Sequence, residues 1–357
     1  NLEYHIMGNH LLENAFALFF SSFYFDETKY FSRSKKILTN EINEQILNDG
    51  AHFELSPMYH SIILYRILDC ICLLKMNNSS DNNMYLLLRR VAKKMISWIN
   101  SISLDTKKIP LINDSAHKIS PSLKELNIYC QNLKINYKKN ILNDSGYRII
   151  KNENFEILID IGNVMASYQP GHSHADTFNF LLNYKGKEIL VDSGISTYDN
   201  NKFRLIERST DSHNTVSINN INSSDIWKSF RLSRRANVNI IYEKNREISA
   251  EHDGYLFKNI MHNRIWSLND KSITVIDKLS SYKEKAFSNL HFHPNVNVII
   301  DKNNLIVDHK IIFEIYGADK IKKEKYNYSE EFNKRIISNK IIISFSRKLK
   351  IYIKEYK

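Results

Sequence analysis

The sequence predicts an α+β protein in which paired antiparallel helices are followed by an antiparallel β-sandwich. In residues 1–135 the apolar side chains recur every three or four positions, which is the period of an amphipathic helix. From about Gly146 they recur at every second position, and many short strands without helices between them are typical of a β-sandwich. The change of period predicts a boundary near residues 136–147. We therefore expect a helical domain over residues 1–140 and a β domain over residues 141–357.

Three helices are predicted in the first half of the chain. The first begins near Asn9, and its apolar stripe consists of Leu12, Ala15, Phe16, Phe19, Phe20 and Phe23. The second begins at Ser56, a good N-cap residue, and continues with Pro57, which is favoured in a first helical turn. Its apolar stripe runs from Ile62 to Leu74, and a third helix fits residues 84–99.

Strand patterns fill the second half of the chain. Residues 178–182 and 188–191 flank Lys185-Gly186, a turn sequence that predicts a β-hairpin. Further segments with a period of two are residues 155–161, 215–218, 273–276 and 341–345.

The chain is basic, with 50 Lys and Arg against 39 Asp and Glu and a formal net charge of +11. This charge favours an anionic partner, such as nucleic acid, a membrane surface or an acidic polysaccharide. It fits a solvated basic surface without a partner equally well. No recognised nucleic-acid-binding motif accompanies the charge, so we do not expect nucleic acid to be the partner.

Two features concern the setting of the chain. No apolar run reaches the roughly 20 residues that span a bilayer, because Asp69 interrupts the longest candidate, Ile67–Leu74. We therefore expect no membrane span. The chain begins at Asn1 and runs directly into a helical pattern, which suggests a start inside a domain, so the missing signal peptide carries little weight.

The most informative motif is Gly171-His172-Ser173-His174-Ala175-Asp176, together with Asp192 and His213 downstream. Two imidazoles and a carboxylate, from His174, Asp192 and His213, could close on one divalent metal such as zinc. Residues two apart on a strand share a face, so His172 would lie beside His174 and could face a ligand while His174 binds the metal. All these segments have the period of strands. The alternative is a hydrogen-bonded polar cluster without metal.

Three further motifs contain candidate site residues. His10 and Glu13 lie on one face of the first helix, where a carboxylate can orient an imidazole, although ordinary helix-start chemistry explains the pair as well. Tyr59 follows the helix start at Ser56, but most tyrosines of such a chain are packing residues. Arg208 precedes His213 by five residues and could bind an anion or form a structural ion pair.

Together these motifs resemble the heparinase II/III-like family of polysaccharide lyases, which includes related alginate and oligoalginate lyases. The order and joint presence of the motifs are specific, although each motif alone is not, and the resemblance covers nearly the whole chain. The matching segments are Asn9-His10-Leu11-Leu12-Glu13-Asn14-Ala15, Ser56-Pro57-Met58-Tyr59-His60, Gly171–Asp176, Val191-Asp192-Ser193-Gly194 and Arg208–Val216.

The resemblance implies an incomplete (α/α) toroid followed by an antiparallel β-sandwich. Family members have more toroid helices before the Asn-His motif, which again suggests an N-terminal truncation. The resemblance also maps a structural zinc and an active site onto this chain. The zinc ligands are His174, Asp192 and His213, the catalytic set is Asn9, His10, Tyr59 and His172, and a second active-site tyrosine best matches Tyr198. With Glu13 and Arg208, which the motifs themselves single out, Tyr198 forms the predicted substrate-binding set.

The resemblance implies β-elimination on an anionic, uronate-containing polysaccharide by a periplasmic or secreted enzyme. Asn9 and His172 would neutralise the uronate carboxylate, and Tyr59 would act as general base, general acid or both. His10 is the alternative base when the proton lies on the opposite face. Two other interpretations stay open, a metal-dependent hydrolase in which bound water attacks and a relative that binds polysaccharide without cleaving it.

Overall fold

Helices fill the first half of the chain in the computed structural model, which describes residues 2–78, 80–139, 141–164, 166–281 and 284–356. The five helices described before the first strand are α1 (Gly8–Tyr24), α2 (Thr28–Gln45), α3 (Pro57–Met76), α4 (Asn82–Ile102) and α5 (Leu123–Asn132). All three predicted helices are present. Helix α1 packs against α2 and α3, and α3 packs against α4 and α5.

The starts of α1 and α3 are fixed by particular side chains. The Ser56 hydroxyl accepts a hydrogen bond from the Tyr59 amide at 3.3 Å, and Pro57 occupies the first helical position, as predicted. Gly8 opens α1 with a φ of +56°, and a Cβ atom there would lie only 2.8 Å from Oε1 of Glu54. Glycine therefore lets the start of α1 approach a buried carboxylate.

The helical core is built from the apolar stripes that the sequence shows. Its fully buried side chains include Leu12, Phe16, Phe19, Ile67 and Trp98. Within the described residues, α3 is the one helix long and apolar enough to cross a membrane, and 61% of that stretch is buried inside the protein. A core helix has this same composition.

Antiparallel strands make up most of the second half. They are β1 (Tyr147–Lys151), β2 (Phe155–Asp160), β3 (Phe180–Tyr184), β4 (Lys187–Leu190), β5 (Val216–Ile218), β6 (Asp225–Trp227), β7 (Arg231–Ser233), β8 (Val238–Lys244), β9 (Glu247–His252), β10 (His262–Leu268), β11 (Ser272–Leu279), β12 (Ala286–His291), β13 (Val298–Asp301), β14 (Asn304–Val307), β15 (Ile311–Tyr316), β16 (Lys320–Tyr328), β17 (Ile336–Phe345) and β18 (Lys348–Glu355). A short helix, α6 (Lys202–Glu207), and two 3₁₀ turns, Thr210–Ser212 and Leu256–Lys258, lie between strands.

The strands form four sheets among the described residues. The largest has the order β13-β14-β15-β18-β11-β10-β9-β8, two four-stranded sheets have the orders β1-β2-β3-β4 and β16-β17-β12-β5, and β6 pairs with β7 alone. The predicted hairpin is confirmed, because β3 and β4 pair across Lys185 and Gly186, whose φ angles are +49° and +75°. A second core, which includes the fully buried Phe155, Trp266 and Phe313, is built from residues of the three larger sheets.

The prediction that the site motifs lie on strands is wrong. Residues 171–176, Asp192 and His213 lie in loops, next to strands but outside them. Alternating polar side chains gave these segments a period of two, but their backbone groups bond outside any sheet ladder. The His174 amide, for example, donates to Oδ1 of Asn113 at 3.0 Å, and the Ala175 amide donates to the Arg208 carbonyl at 3.0 Å.

Candidate active site

A pocket of about 830 Å³ opens where the two halves of the chain meet. The start of α1, the start of α3 and the loop before His172 form its walls, and the β6–β7 hairpin closes one side. The structure brings five of the predicted site residues to this one pocket, namely Asn9, His10, Tyr59, His172 and Tyr198.

Tyr59 and His172 are in direct ring contact. Their centroids lie 3.9 Å apart, and their planes are inclined by 29°. Tyr59 projects from the first turn of α3, whereas His172 projects from a loop of the β half. The stacked pair therefore joins the two halves of the chain at the pocket.

Asn9 is held against His172 by a buried carboxylate. The Asn9 side-chain amide donates to Oε2 of Glu54 at 2.8 Å, and its nitrogen lies 3.4 Å from Nε2 of His172. The Asn9 backbone amide also donates to Glu54, at 3.2 Å. Glu54 is 2% exposed, so it orients Asn9 from behind without lining the pocket.

A second buried carboxylate, Asp114, fixes His172. Its Oδ2 atom lies 2.9 Å from Nδ1 of His172, and its Oδ1 atom lies 2.9 Å from Nε2 of His174. Arg204 donates to both oxygens of Asp114, at 2.6 Å to Oδ2. Burial opposes the charge on Asp114, but Arg204 and the two histidines hold its pKa well below the ordinary value. One carboxylate thus orients the histidine of the pocket and a predicted metal ligand.

Tyr59 and Tyr198 are phenols in a desolvated setting. Burial raises the pKa of Tyr59 to about 12, the carboxylates of Asp114 and Glu54 act in the same direction, and Tyr198 and Arg204 act against it. Burial also raises the pKa of Tyr198. The Arg204 guanidinium lies 5.0 Å from the centre of the Tyr198 ring. Tyr59 is therefore a neutral phenol at physiological pH.

Three predicted site residues, His10, Glu13 and Arg208, contact other partners than the sequence predicted. His10 faces Glu3, with Nδ1 3.6 Å from its carboxylate, and Glu13 instead approaches Arg66 on α3 at 3.5 Å. Arg208 is fully buried and donates to backbone carbonyls, including Ser173 at 2.9 Å. Glu13 and Arg208 do not line the pocket. Arg208 braces the loop behind it.

The predicted metal ligands lie close together in the β half. The rings of His174 and His213 have centroids 5.3 Å apart, and Nδ1 of His213 lies 2.8 Å from Oδ2 of Asp192. In the described residues, no three His, Cys, Asp or Glu side chains converge closely enough to hold a metal. Nδ1 of His174 and Nε2 of His213 are nevertheless buried without a hydrogen-bond partner in the described part of the chain.

Two other observations bear on whether these residues fit a metal. Burial lowers the pKa of His174 to about 4, against the opposing effect of Asp114, so its imidazole is neutral as a metal ligand must be. Oδ2 of Asp176 is buried and also has no hydrogen-bond partner among the described residues. Two free imidazole nitrogens and carboxylate oxygens are the donor types that zinc prefers. The donor set therefore fits the ion in type.

The pocket is electropositive. None of the described residues that line it is Asp or Glu, whereas His5, His10, Lys228 and Arg231 are among them. Glu54 and Asp114 are buried behind Asn9 and His172 and are already engaged by hydrogen bonds. Two other acids, Glu3 and Glu44, contact the lining residues His10 and Tyr168 without lining the pocket themselves. Such a pocket attracts an anionic group.

The sequence did not assign Glu54, Asp114 or Arg204 to the site. Glu54 and Asp114 lie in loops between helices, and Arg204 lies in the short helix α6. None belongs to a motif with recognisable spacing. One signal was available for Arg204, because the sequence places it among apolar residues in what becomes a six-residue helix. The structure shows that its side chain is fully buried.

Comparisons with known proteins agree with this architecture. A heparinase III gene product has a TM-score of 0.76 at 18% identity, over 99% of this chain and 60% of that one. The heparan sulfate lyase HepC of Pedobacter heparinus has a TM-score of 0.74 at 19% identity, over 98% and 60%. At these identities the likeness shows the fold.

Sequence relatives give a closer link. A heparin-sulfate lyase of Bacteroides stercoris is 25% identical over 81% of this chain and 46% of its own length. The chain thus spans less than half of the curated relatives it matches. The model of the heparinase II/III N-terminus matches residues 1–139, and that of the heparinase II/III-like C-terminal region matches residues 136–354. The chain belongs to the heparinase II/III-like family.

Proposed function

We propose that the chain is a polysaccharide lyase, or the part of one that contains its site, and cleaves an anionic uronate-containing polysaccharide by β-elimination. The observation that carries this proposal is the convergence of Asn9, Tyr59 and His172 in a pocket whose described lining contains no carboxylate. A uronate carries a carboxylate beside the proton that elimination removes. The pocket offers donors for that carboxylate and a phenol for the proton.

The same observation argues against a hydrolase of the usual kind. Most glycoside hydrolases place two carboxyl groups on opposite sides of the scissile bond. Here the described pocket lining supplies none, and Glu54 and Asp114 are buried behind other side chains. A metal-dependent hydrolase would need its ion at the pocket. His174 and His213 are fully or almost fully buried and do not line it.

Asn9 and His172 bind the uronate carboxylate in this proposal. The second hydrogen of the Asn9 amide points towards His172 across 3.4 Å, where a carboxylate oxygen can accept it. Asp114 accepts a hydrogen bond from Nδ1 of His172, so Nε2 faces the pocket. In the doubly protonated imidazolium form, Nε2 donates to the carboxylate. Negative charge builds on the carboxylate as the neighbouring C5 proton leaves, so donors held in place at that point lower the barrier.

Tyr59 moves the proton at the leaving group. Because its pKa of about 12 keeps it neutral, it is set to donate its proton to the C4 glycosidic oxygen as the C4–O bond breaks and a C4–C5 double bond forms. Tyr59 can take the C5 proton itself only as a phenolate, which its raised pKa opposes. His10, which lines the pocket and is half exposed, is the base for the opposite face.

His174, Asp192 and His213 hold a zinc ion in this proposal, supported by the buried ring nitrogens without partners. When bound, zinc supplies a structural cross-link between three loops. Its effect reaches the pocket through this chain's own residues, because His174 and His172 share the carboxylate of Asp114. The ordered loop keeps His172 against Tyr59.

We also propose the finer architecture and the substrate class. The packed pairs α1–α2 and α3–α4 support part of an (α/α) toroid, and a core to which three antiparallel sheets contribute supports a β-sandwich. The heparin-sulfate lyase names of the relatives favour a glycosaminoglycan as substrate. The protein itself is periplasmic or secreted in this proposal.

A panel of polysaccharides tests the proposed function. Heparan sulfate, chondroitin sulfate, hyaluronan and alginate should each be incubated with the protein, and the ultraviolet absorbance of an unsaturated uronate should be followed. The proposal expects absorbance to rise on at least one glycosaminoglycan. Binding without new absorbance would favour a relative that binds polysaccharide without cleaving it. New reducing ends without absorbance would favour a hydrolase.

A further inference from the structure

The β6–β7 hairpin overhangs the pocket and carries two cations that lack an ion-pair partner. Lys228 and Arg231 are exposed and line the pocket, and neither has an acidic partner within salt-bridge distance in the described part of the chain. Arg234, just after the hairpin, differs because it pairs with Asp225 at 2.7 Å. Free cations at a pocket wall are available to a ligand.

Buried groups hold the tip of this hairpin in place. Arg204 donates to the Ser229 carbonyl at 2.9 Å, and Arg208 donates to the same carbonyl at 3.0 Å. The Phe230 ring packs on Tyr198 with centroids 5.2 Å apart and lies 6.0 Å from His172. The hairpin is therefore fastened to the residues of the pocket, so the positions of its side chains relative to Tyr198 and His172 are fixed in advance.

Trp227 extends this surface beyond the pocket. It pairs across the hairpin with Arg231, so the two side chains share a face, whereas the next pair contains the buried Leu232. Trp227 is 43% exposed. An indole beside two free cations presents an apolar face to a sugar ring and positive charge to its anionic substituents.

We infer that Trp227, Lys228 and Arg231 form a subsite for an anionic sugar residue next to the one bound by Asn9 and His172. The inference rests on the proposed function, which places the polysaccharide in the pocket. The ligand is a sugar whose sulfate or carboxylate group pairs with Lys228 and Arg231 while its ring lies on Trp227. This subsite would make affinity depend on the charge pattern of the polysaccharide.

Binding measurements on a protein that does not cleave test the subsite directly. In a Tyr59→Phe background, isothermal titration calorimetry would compare a heparan sulfate oligosaccharide with its chemically desulfated form. The double variant Lys228→Asn/Arg231→Gln should bind the sulfated oligosaccharide roughly five- to tenfold more weakly, with a smaller dependence on salt. Asparagine suits Lys228 because its φ is +50°.

The control is Lys302→Asn, which removes another exposed lysine with φ +53° in the β13–β14 turn and should leave affinity unchanged. If the double variant weakens binding of the sulfated form alone, the subsite takes a sulfate. If it weakens binding of both forms, the subsite takes a carboxylate. If it binds both as tightly as the parent, the inference is wrong.

Tryptophan fluorescence tests the aromatic part. Of the three tryptophans, Trp98 and Trp266 are fully buried, so a change on oligosaccharide binding should come from Trp227. Trp227→Phe should remove that change, and a change that persists would remove Trp227 from the subsite. These measurements need no turnover. A protein that releases no unsaturated product therefore overturns the proposed function while leaving the subsite result intact.

Discussion

Tyr59 of the helical half and His172 of the β half stack with ring centroids 3.9 Å apart. Asp114 holds the far side of His172 and also contacts His174, so the stack is connected to the predicted metal site through one carboxylate. The pocket therefore depends on contacts between the halves. Changes at Asn9, Asp114 or the metal ligands should each affect it differently.

Asn9→Ala should lower kcat by roughly 10²–10³-fold, because it removes a donor that strengthens as charge builds on the substrate carboxylate. The substitution also removes the side-chain hydrogen bonds to Glu54 and keeps only the one from the backbone amide, so the folded state must be checked by circular dichroism. Asn43→Ala, at an exposed position of α2 outside the pocket, is the control and should retain parental turnover. Parental kcat in a folded Asn9→Ala protein would contradict the role of Asn9.

Asp114→Asn should destabilise the protein by about 3–5 kcal/mol, since it leaves the buried Arg204 without a counter-charge. Unfolding in urea measures this. The control is Asp270→Asn, which breaks the exposed pair with Arg246 and should cost less than about 1 kcal/mol. Equal losses from the two variants would show that the Asp114–Arg204 pair is not an important buried contact.

Stability should fall as the pH drops from 7 to 5, in part because of His60. Burial lowers the pKa of His60 to about 3, whereas its ordinary value is 6.5. Between these values the unfolded chain binds a proton that the folded protein does not, so acid favours unfolding. His60 alone should lower the free energy of unfolding by about 2 kcal/mol between pH 7 and pH 5.

The His60→Gln variant should therefore show a shallower loss of unfolding free energy between pH 7 and pH 5 than the parent. The exposed His309→Gln should follow the parental curve. Identical slopes for all three proteins would contradict a neutral, buried His60. His252 and His262 contribute in the same direction, since burial lowers their pKa values. His213 contributes in the opposite direction, because Asp192 raises its pKa against the effect of burial.

Protein purified without chelator should contain about one zinc ion per chain, measured by elemental analysis. Removing it should lower the melting temperature, because an ion that binds only the folded state stabilises it. The His174→Ala variant should bind no zinc, and chelator should not change its melting temperature. His293→Ala, a histidine outside the predicted set, should keep them. A metal-free wild-type protein whose melting temperature does not respond to added zinc would contradict the assignment.

Much of the fold could be predicted because its signals are local. The apolar stripe of α1, the Ser56-Pro57 start of α3 and the Lys185-Gly186 turn each act within a few residues, and each is present as predicted. The strand prediction for residues 171–176 failed because the alternation of polar side chains there serves contacts with Asn113 and Asp114 instead of a sheet.

The site was predicted in part. Asn9, Tyr59 and His172 belong to motifs that can be recognised in the sequence, and the structure places them together. The groups that orient them act through tertiary contacts that no spacing reveals, since Glu54, Asp114 and Arg204 come from three separate segments. Arg208 lies in a motif and was predicted to bind substrate. Its guanidinium is instead fully buried and donates to backbone carbonyls.

Tyr59→Phe removes one hydroxyl and keeps the ring that stacks on His172, so the fold should persist while turnover falls by about 10²–10⁴-fold. Tyr65→Phe, on the same helix but outside the pocket, should retain activity. The release of unsaturated product from an established substrate measures both.

The most direct measurement is mass spectrometry of the wild-type products formed in water labelled with heavy oxygen. Elimination adds no water, so the new non-reducing end should carry a double bond and the products should contain no label from cleavage, with product formation lost in Tyr59→Phe. Labelled, saturated products, or unsaturated products formed at a parental rate by Tyr59→Phe, would contradict elimination by Tyr59 at this pocket.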